Sequence, residues 1–268
     1  MILLTPQQRA LLSDRVDANR PGPMVGSHVI NTGNGALWVD HWPDPRAILA
    51  ETGGNYSLWG DPQALPAAML RERIRGFVDA PLDWVPVLER AFPAMHRWQR
   101  VILELPARAY FAVPGDYVIR RLGAADAGHV GGLSTGAAWI AKTWSSAAGL
   151  AAGGYARGAF ADGRLVSIAC TFFVGRSYED LGVVTESGFE GHGLSTACAG
   201  ALCEDIRQRG PFRGMTRSTA LGNKIETTGR SLIAQQHRCN VKDRHDSPAA
   251  EQDTGEQRRG VRESIHAV

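Results

Sequence analysis

Three glycines within six residues, Gly188, Gly191 and Gly193, stand directly ahead of a stretch with helical spacing, Leu194 to Arg209. Glycine lets the main chain turn left-handed and approach a ligand closely, and the first N–H groups of a helix have no partner inside it. With the helix dipole added, Gly188-Phe189-Glu190-Gly191-His192-Gly193 reads as an anion site suited to a pyrophosphate. Ser195 and Thr196 add hydroxyls in the first helical turn, where they would also serve as caps. No lysine follows the turn, which excludes the G-x-x-x-x-G-K-[ST] phosphate loop, and the spacing is not G-x-G-x-x-G.

Such a turn needs a strand to deliver the chain to it. Glu179 to Thr185 is that strand, and ahead of it Tyr155 to Phe160 and Leu165 to Val174 read as two more, joined through the hairpin signal Asp162-Gly163. Tyr117 to Leu122 is the first strand of this half. A helix opens near Ala124, a longer helical stretch covers Ala137 to Leu150, and Phe212 to Thr219 is a last strand. An antiparallel meander ahead of the glycines also argues against a dinucleotide-binding βαβ unit.

Residues 1–115 alternate in the same manner. Gly35 to Asp40, Asn55 to Trp59 and Gln99 to Leu105 read as extended; Pro43 to Glu51, Pro62 to Ile74 and Asp83 to Phe92 read as helices. Alternation of this kind predicts an α/β fold with a mixed, largely antiparallel sheet flanked by helices, and a smaller N-terminal α/β domain over 1–115.

Composition narrows the partners. The 268 residues are 44% hydrophobic, enough for a substantial core, and 29 basic against 27 acidic residues give a net charge of +2. That balance predicts neither a nucleic-acid nor a membrane partner. Neither a secretory signal pattern at Met1 nor an apolar run of about 20 residues occurs, so a soluble cytoplasmic protein is expected. Cys170, Cys198, Cys203 and Cys239 lack C-x-x-C spacing and read as reduced packing residues, without a metal site.

The strand Glu179-Asp180-Leu181-Gly182-Val183-Val184-Thr185, followed by Gly191-His192-Gly193-Leu194-Ser195-Thr196, resembles the acyl-CoA site of the Gcn5-related N-acetyltransferase (GNAT) superfamily, and within it the FR47-like branch. The likeness covers about 117–216 well and 1–115 more loosely, as a degenerate copy of the same fold. It implies an acetyltransferase domain over 116–222 that moves an acetyl group from acetyl-CoA to a primary amine by direct attack in a ternary complex. The acceptor would be a small molecule or a peptide.

Roles follow from the resemblance. The main chain of Val183, Val184 and Thr185 would pair with the pantetheine arm, and the amides of Gly191, His192, Gly193, Leu194, Ser195 and Thr196 would hold the pyrophosphate. Asn223, four residues after Thr219, falls where the family has a cofactor contact. Glu179 is the expected general base and Glu186 the reserve, with a main-chain N–H near Val183 or Val184 as oxyanion donor.

The chain departs from that pattern in three places. Gly188 stands where the family has Gln or Arg, Glu190 where a basic residue is common, and no tyrosine follows Tyr178. Residues 223–268 contain no aromatic side chain and no period, which reads as a disordered or degenerate tail. A missing last strand would leave an open sheet edge, so a homodimer through that edge is expected. The alternative function is a non-catalytic acyl-CoA-binding or scaffold protein.

Overall fold

Every residue from Leu165 to Val174 is buried, which requires cover on both faces of the strand they form. The fold supplies it with helices on both faces. The computed structural model describes residues 1–16, 23–98, 100–104, 115–209, 213–219 and 239–242. The strands are β1 (Ile2–Leu3), β2 (Ala36–Val39), β3 (Ala47–Thr52), β4 (Asn55–Gly60), β5 (Phe77–Ala80), β6 (His96–Trp98), β7 (Arg100–Glu104), β8 (Val118–Arg121), β9 (Ala156–Ala161), β10 (Arg164–Val174), β11 (Tyr178–Thr185), β12 (Arg213–Thr219) and β13 (Cys239–Lys242). The helices are α1 (Pro6–Ala10), α2 (Ser13–Val16), α3 (Val25–Thr32), α4 (Ala67–Arg73), α5 (Val85–Ala91), α6 (Ala127–Gly131), α7 (Ala147–Gly153) and α8 (Leu194–Gln208).

One sheet runs β1-β2-β3-β4-β5-β13-β6 and the other β7-β12-β11-β10-β9-β8. Both are antiparallel except at one place each, where β4 lies parallel to β5 and β11 parallel to β12. Thus the mixed, largely antiparallel α/β architecture holds. The sheets also exchange strands. β7, from the first half, pairs with β12 from Glu104↔Met215 to Arg100↔Thr219, and β13, from the C-terminal region, pairs with β5 and β6 in the first sheet. The edge beside the last strand is occupied by β7. Of residues 223–268, Cys239–Lys242 form a strand; the remainder lies outside the described residues.

A common core sits between the sheets. Val25 and Val29 of α3, Leu37, Val39, Ile48 and Ala50 from the first half meet Ile140, Trp144, Leu150, Ile168, Phe173 and Val174 from the second. The outer face of the first sheet packs α4 and α5, with Leu49, Leu58, Val78, Leu70 and Leu88. The outer face of the second packs α8. Each fully buried leucine or isoleucine contributes about 1.5–3 kcal/mol, whereas an exposed ion pair such as Arg176–Asp14 between the halves is worth ~0–1 kcal/mol. The shared apolar layer, not surface charge, joins the halves.

Three expected elements are corrected. The sequence predicts a helix over Pro43 to Glu51, but Ala47–Thr52 is β3, between β2 and β4. Ala47-Ile48-Leu49-Ala50 is buried on both faces, and tertiary pairing overrides the helical bias of its alanines. Pro62 to Ile74 is split at Pro66 into a short 3-10 turn and α4, because Pro66 supplies no N–H. Ala137 to Leu150 is likewise split at Ser145, whose φ of 66° ends a 3-10 helix, Ala138–Trp144, before α7 begins. The Asp162-Gly163 hairpin forms as expected, with φ of 48° and 77°.

Candidate active site

β11 has two unlike edges. On one side β10 pairs with it along its length, from Glu179↔Val174 to Thr185↔Ser167. On the other, β12 pairs only with Tyr178, Glu179 and Asp180. Among the described residues no strand continues that ladder past Leu181, so Val183, Val184 and Thr185 lie on an open strand edge able to pair with an extended ligand. Leu181 and Val183 face α8, while Gly182 faces the 3-10 helix: a Cβ on Gly182 would lie 2.9 Å from the Ile140 Cδ1 atom. The opening is thus walled by α8 on one face and the 3-10 helix on the other.

The strand runs straight into the glycine turn. Gly188, Gly191 and Gly193 have φ of 89°, 79° and 75°, and a Cβ on any of them would touch nothing within 4 Å. The turn thus needs glycine for its backbone conformation, not for space. Gly193 is the N-cap of α8 and no side chain caps the helix, so its first amides face outward without a side-chain partner. Leu194 is buried and anchors the helix start, with Thr196 exposed beside it. His192 is exposed and its Nδ1 lies 3.2 Å from the Phe189 carbonyl. Glu190 turns back on its own loop, where Oε2 accepts the Gly188 N–H at 2.8 Å. Asn223 lies outside the described residues.

The two candidate carboxylates have different surroundings. Glu179 is 1% exposed and accepts two bonds from Arg209, Nε to Oε1 at 3.1 Å and Nη2 to Oε2 at 2.6 Å, plus the Thr171 hydroxyl. It lies in the paired part of β11, and Arg209 in turn stacks over Tyr155. Glu186, 4% exposed, follows the open part of β11 immediately ahead of the turn. Its Oε1 accepts the Ser134 N–H at 2.7 Å, and among the described residues no cation pairs with it. Strand and turn bring together Val183 through Thr196 with Glu186; Glu179 stands apart, at the other end of the strand. Arg209, Thr171 and Ser134 carried no signal in the sequence, since each acts through a contact far along the chain.

Burial also settles the cysteines. Cys198 and Cys203 are pushed up to about 12 and Cys170 higher still, because an apolar interior disfavours the thiolate. All three are free thiols that pack as small apolar side chains, as expected. Among the described residues no helix is long and apolar enough to cross a membrane.

The family model described as GNAT acetyltransferase matches residues 19–212. The chain belongs to this family. An uncharacterized N-acetyltransferase of Streptomyces virginiae is 34% identical over 197 residues, covering 70% of this chain and 81% of that protein. Solved structures share the fold. A GCN5-related N-acetyltransferase-like protein of Streptococcus suis is 13% identical with a TM-score of 0.63, covering 88% of this chain and 98% of that one. A tandem GNAT protein of the clavulanic acid biosynthesis pathway is 15% identical with a TM-score of 0.51, covering 83% and 90%. This GNAT protein is therefore an acyltransferase of the N-acetyltransferase type.

Proposed function

We propose that the chain transfers an acetyl group from acetyl-CoA to a primary amine by direct attack in a ternary complex. The observation that carries this reading is the loss of the β11–β12 ladder after Asp180, beside a glycine turn that opens α8. An extended pantetheine arm fits the free edge at Val183, Val184 and Thr185, and a pyrophosphate fits the uncapped helix start from Gly191 to Thr196. Glu190 lies on the same loop with its carboxylate on Gly188 N–H, and a negative charge there weakens the pull on a pyrophosphate without closing the helix start.

The amine must lose a proton before it attacks the thioester carbonyl. Glu186 is proposed as the base, directly or through water: it follows the open part of β11 and holds one carboxylate oxygen on Ser134 N–H. Glu179 is proposed as a brace, since acting as a base would require it to release Arg209. A main-chain N–H of the open edge near Val183 or Val184 receives the developing oxyanion. Collapse then breaks the carbon–sulfur bond and releases CoA.

Calorimetry of acetyl-CoA on the full chain, followed by turnover with a panel of primary amines, tests the reading. Micromolar binding with turnover that falls in Glu186→Gln supports it. Binding without turnover of any amine would favour a non-catalytic acyl-CoA-binding protein, and absence of binding by the folded chain would overturn both.

A further inference from the structure

The 3-10 helix Ala138–Trp144 covers the face of the sheet where β11 opens, and it is secured at both ends by groups distant in sequence. At its leading end, Ser134 N–H is bonded to Glu186. At its trailing end the carbonyl of Thr143 accepts two bonds from the first half of the chain, His28 Nε2–H at 2.9 Å and the Thr52 hydroxyl at 3.2 Å. The His28 ring is itself fixed, because Nδ1 accepts the Val174 N–H at 3.1 Å and the rings of Trp144 and Phe173 meet it edge-on. Donation at one nitrogen and acceptance at the other define a neutral ring with its proton on Nε2.

Two further contacts reinforce this joint. Gly53, in the β3–β4 turn, has φ of 56°, and a Cβ there would lie 2.7 Å from the Lys142 carbonyl carbon, so the turn touches the 3-10 backbone directly. Ser145 Oγ and Asn34 Oδ1 are 2.8 Å apart. The first half thus grips the wall of the opening at Lys142, Thr143 and Ser145, while the second half grips it at Ser134.

We propose that the first half of the chain sets the acceptor side of the reaction, with His28 and Thr52 as positioning residues that hold the 3-10 wall through the Thr143 carbonyl. This rests on the reading of β11 as the acyl-CoA edge. A ligand on that edge lies between α8 and the 3-10 helix, so displacement of the helix alters the space left for the amine and leaves the pyrophosphate turn in place. Small misplacement of a wall near the reacting atoms is enough to reduce rates strongly.

The test uses the full chain with His28→Leu, His28→Gln and Thr52→Val. Amide hydrogen exchange across 134–145 is measured with acetyl-CoA bound, along with acetyl-CoA affinity and the KM of the best amine from a polyamine, an amino-acid amide and an aminoglycoside. His28→Leu is expected to speed exchange across 134–145 and to raise the amine KM about tenfold. Acetyl-CoA affinity should stay within about twofold, and His28→Gln, which keeps a donor and an acceptor, should recover most of the loss. Thr52→Val is nearly isosteric and should show the same direction more weakly, even if His28→Leu fails to fold. Unchanged exchange across 134–145, or an acetyl-CoA affinity that weakens as much as the amine KM rises, overturns the proposal. Should none of the three amines turn over, the exchange data decide alone. Failure of the wild-type chain to bind acetyl-CoA would instead overturn the underlying reading.

Discussion

Arg209 meets Glu179 as a two-pronged pair at the point where α8 leaves the sheet, with Nε on one carboxylate oxygen and Nη2 on the other. Thr171 from β10 adds its hydroxyl to the same carboxylate. One residue of β11 therefore ties the neighbouring strand and the covering helix together. Removing either charge leaves the other buried without its partner, which costs far more than the intact pair contributes.

Arg209→Ala should accordingly destabilise the protein by about 2–3 kcal/mol, below the ~3–5 kcal/mol of a fully buried pair because the arginine side chain is 25% exposed. Urea denaturation of the two proteins measures the difference. A change below about 0.5 kcal/mol, typical of a surface substitution, would show that the pair is not a brace.

Glu179→Gln and Glu186→Gln should then part company. The first should lower stability and leave most of the turnover per folded molecule. The second should lower kcat by about 10²–10⁴-fold, the usual contribution of a positioned base, with little change in melting temperature. Steady-state rates on samples matched for folded content distinguish the two, and the reverse outcome would restore Glu179 as the base.

Much of this site is legible in the sequence. Gly188, Gly191 and Gly193 ahead of an apolar helical run specify a turn and a helix start through local backbone preference alone. Leu165 to Val174 and Glu179 to Thr185 specify strands by β-branched content and by the Asp162-Gly163 turn. The exchange of β7 and β13 between the sheets is not legible, because strand partners distant in sequence leave no mark in periodicity. β3 escapes for a related reason: a strand buried on both faces loses its alternation, and Ala47-Ile48-Leu49-Ala50 behind Pro43 then mimics a helix start. The pairing of Glu179 with Arg209 is equally hidden, since a strand carboxylate looks the same in sequence whether it is a base or a brace.

His28 gives the protein an acid-sensitive joint. Burial lowers its pKa from 6.5 to about 4 by disfavouring the charged ring. In the unfolded chain the ring takes a proton near pH 6.5, so the unfolded state binds more protons between these values. The contribution of the neutral ring is complete above pH 6.5 and is lost as pH falls towards 4, by about 3 kcal/mol in all. Stability measured between pH 7 and 4 should show this fall in the wild type and a shallower one in His28→Gln. Parallel curves would show that the ring does not titrate in this window.

Gly191→Glu should abolish cofactor binding without unfolding the chain. The side chain would stand in open space, so the fold bears only the left-handed conformation, about 1–2 kcal/mol. A second carboxylate beside the uncapped start of α8 opposes an anionic ligand through both charge and volume. Calorimetry should show at least about a tenfold loss of acetyl-CoA affinity, with 1.4 kcal/mol corresponding to each factor of ten. Unchanged affinity would place the pyrophosphate away from this turn.

Stoichiometry tests the same idea from the other half of the chain. β4 and β5 repeat the parallel ladder of β11 and β12, pairing only from Asn55↔Phe77 to Ser57↔Asp79 while β4 runs on to Gly60. The segment after β4 differs in chemistry from the one after β11. The Asp61 carboxylate takes the Gln63 N–H at 2.8 Å, and α4 is capped by Pro66, which has no N–H to offer. This segment lacks the three-glycine turn, and the Asp61 carboxylate on its approach repels an anionic ligand. Titration should therefore saturate at one acetyl-CoA per chain. A second equivalent that persists in Gly191→Glu would show that the first half also binds the cofactor.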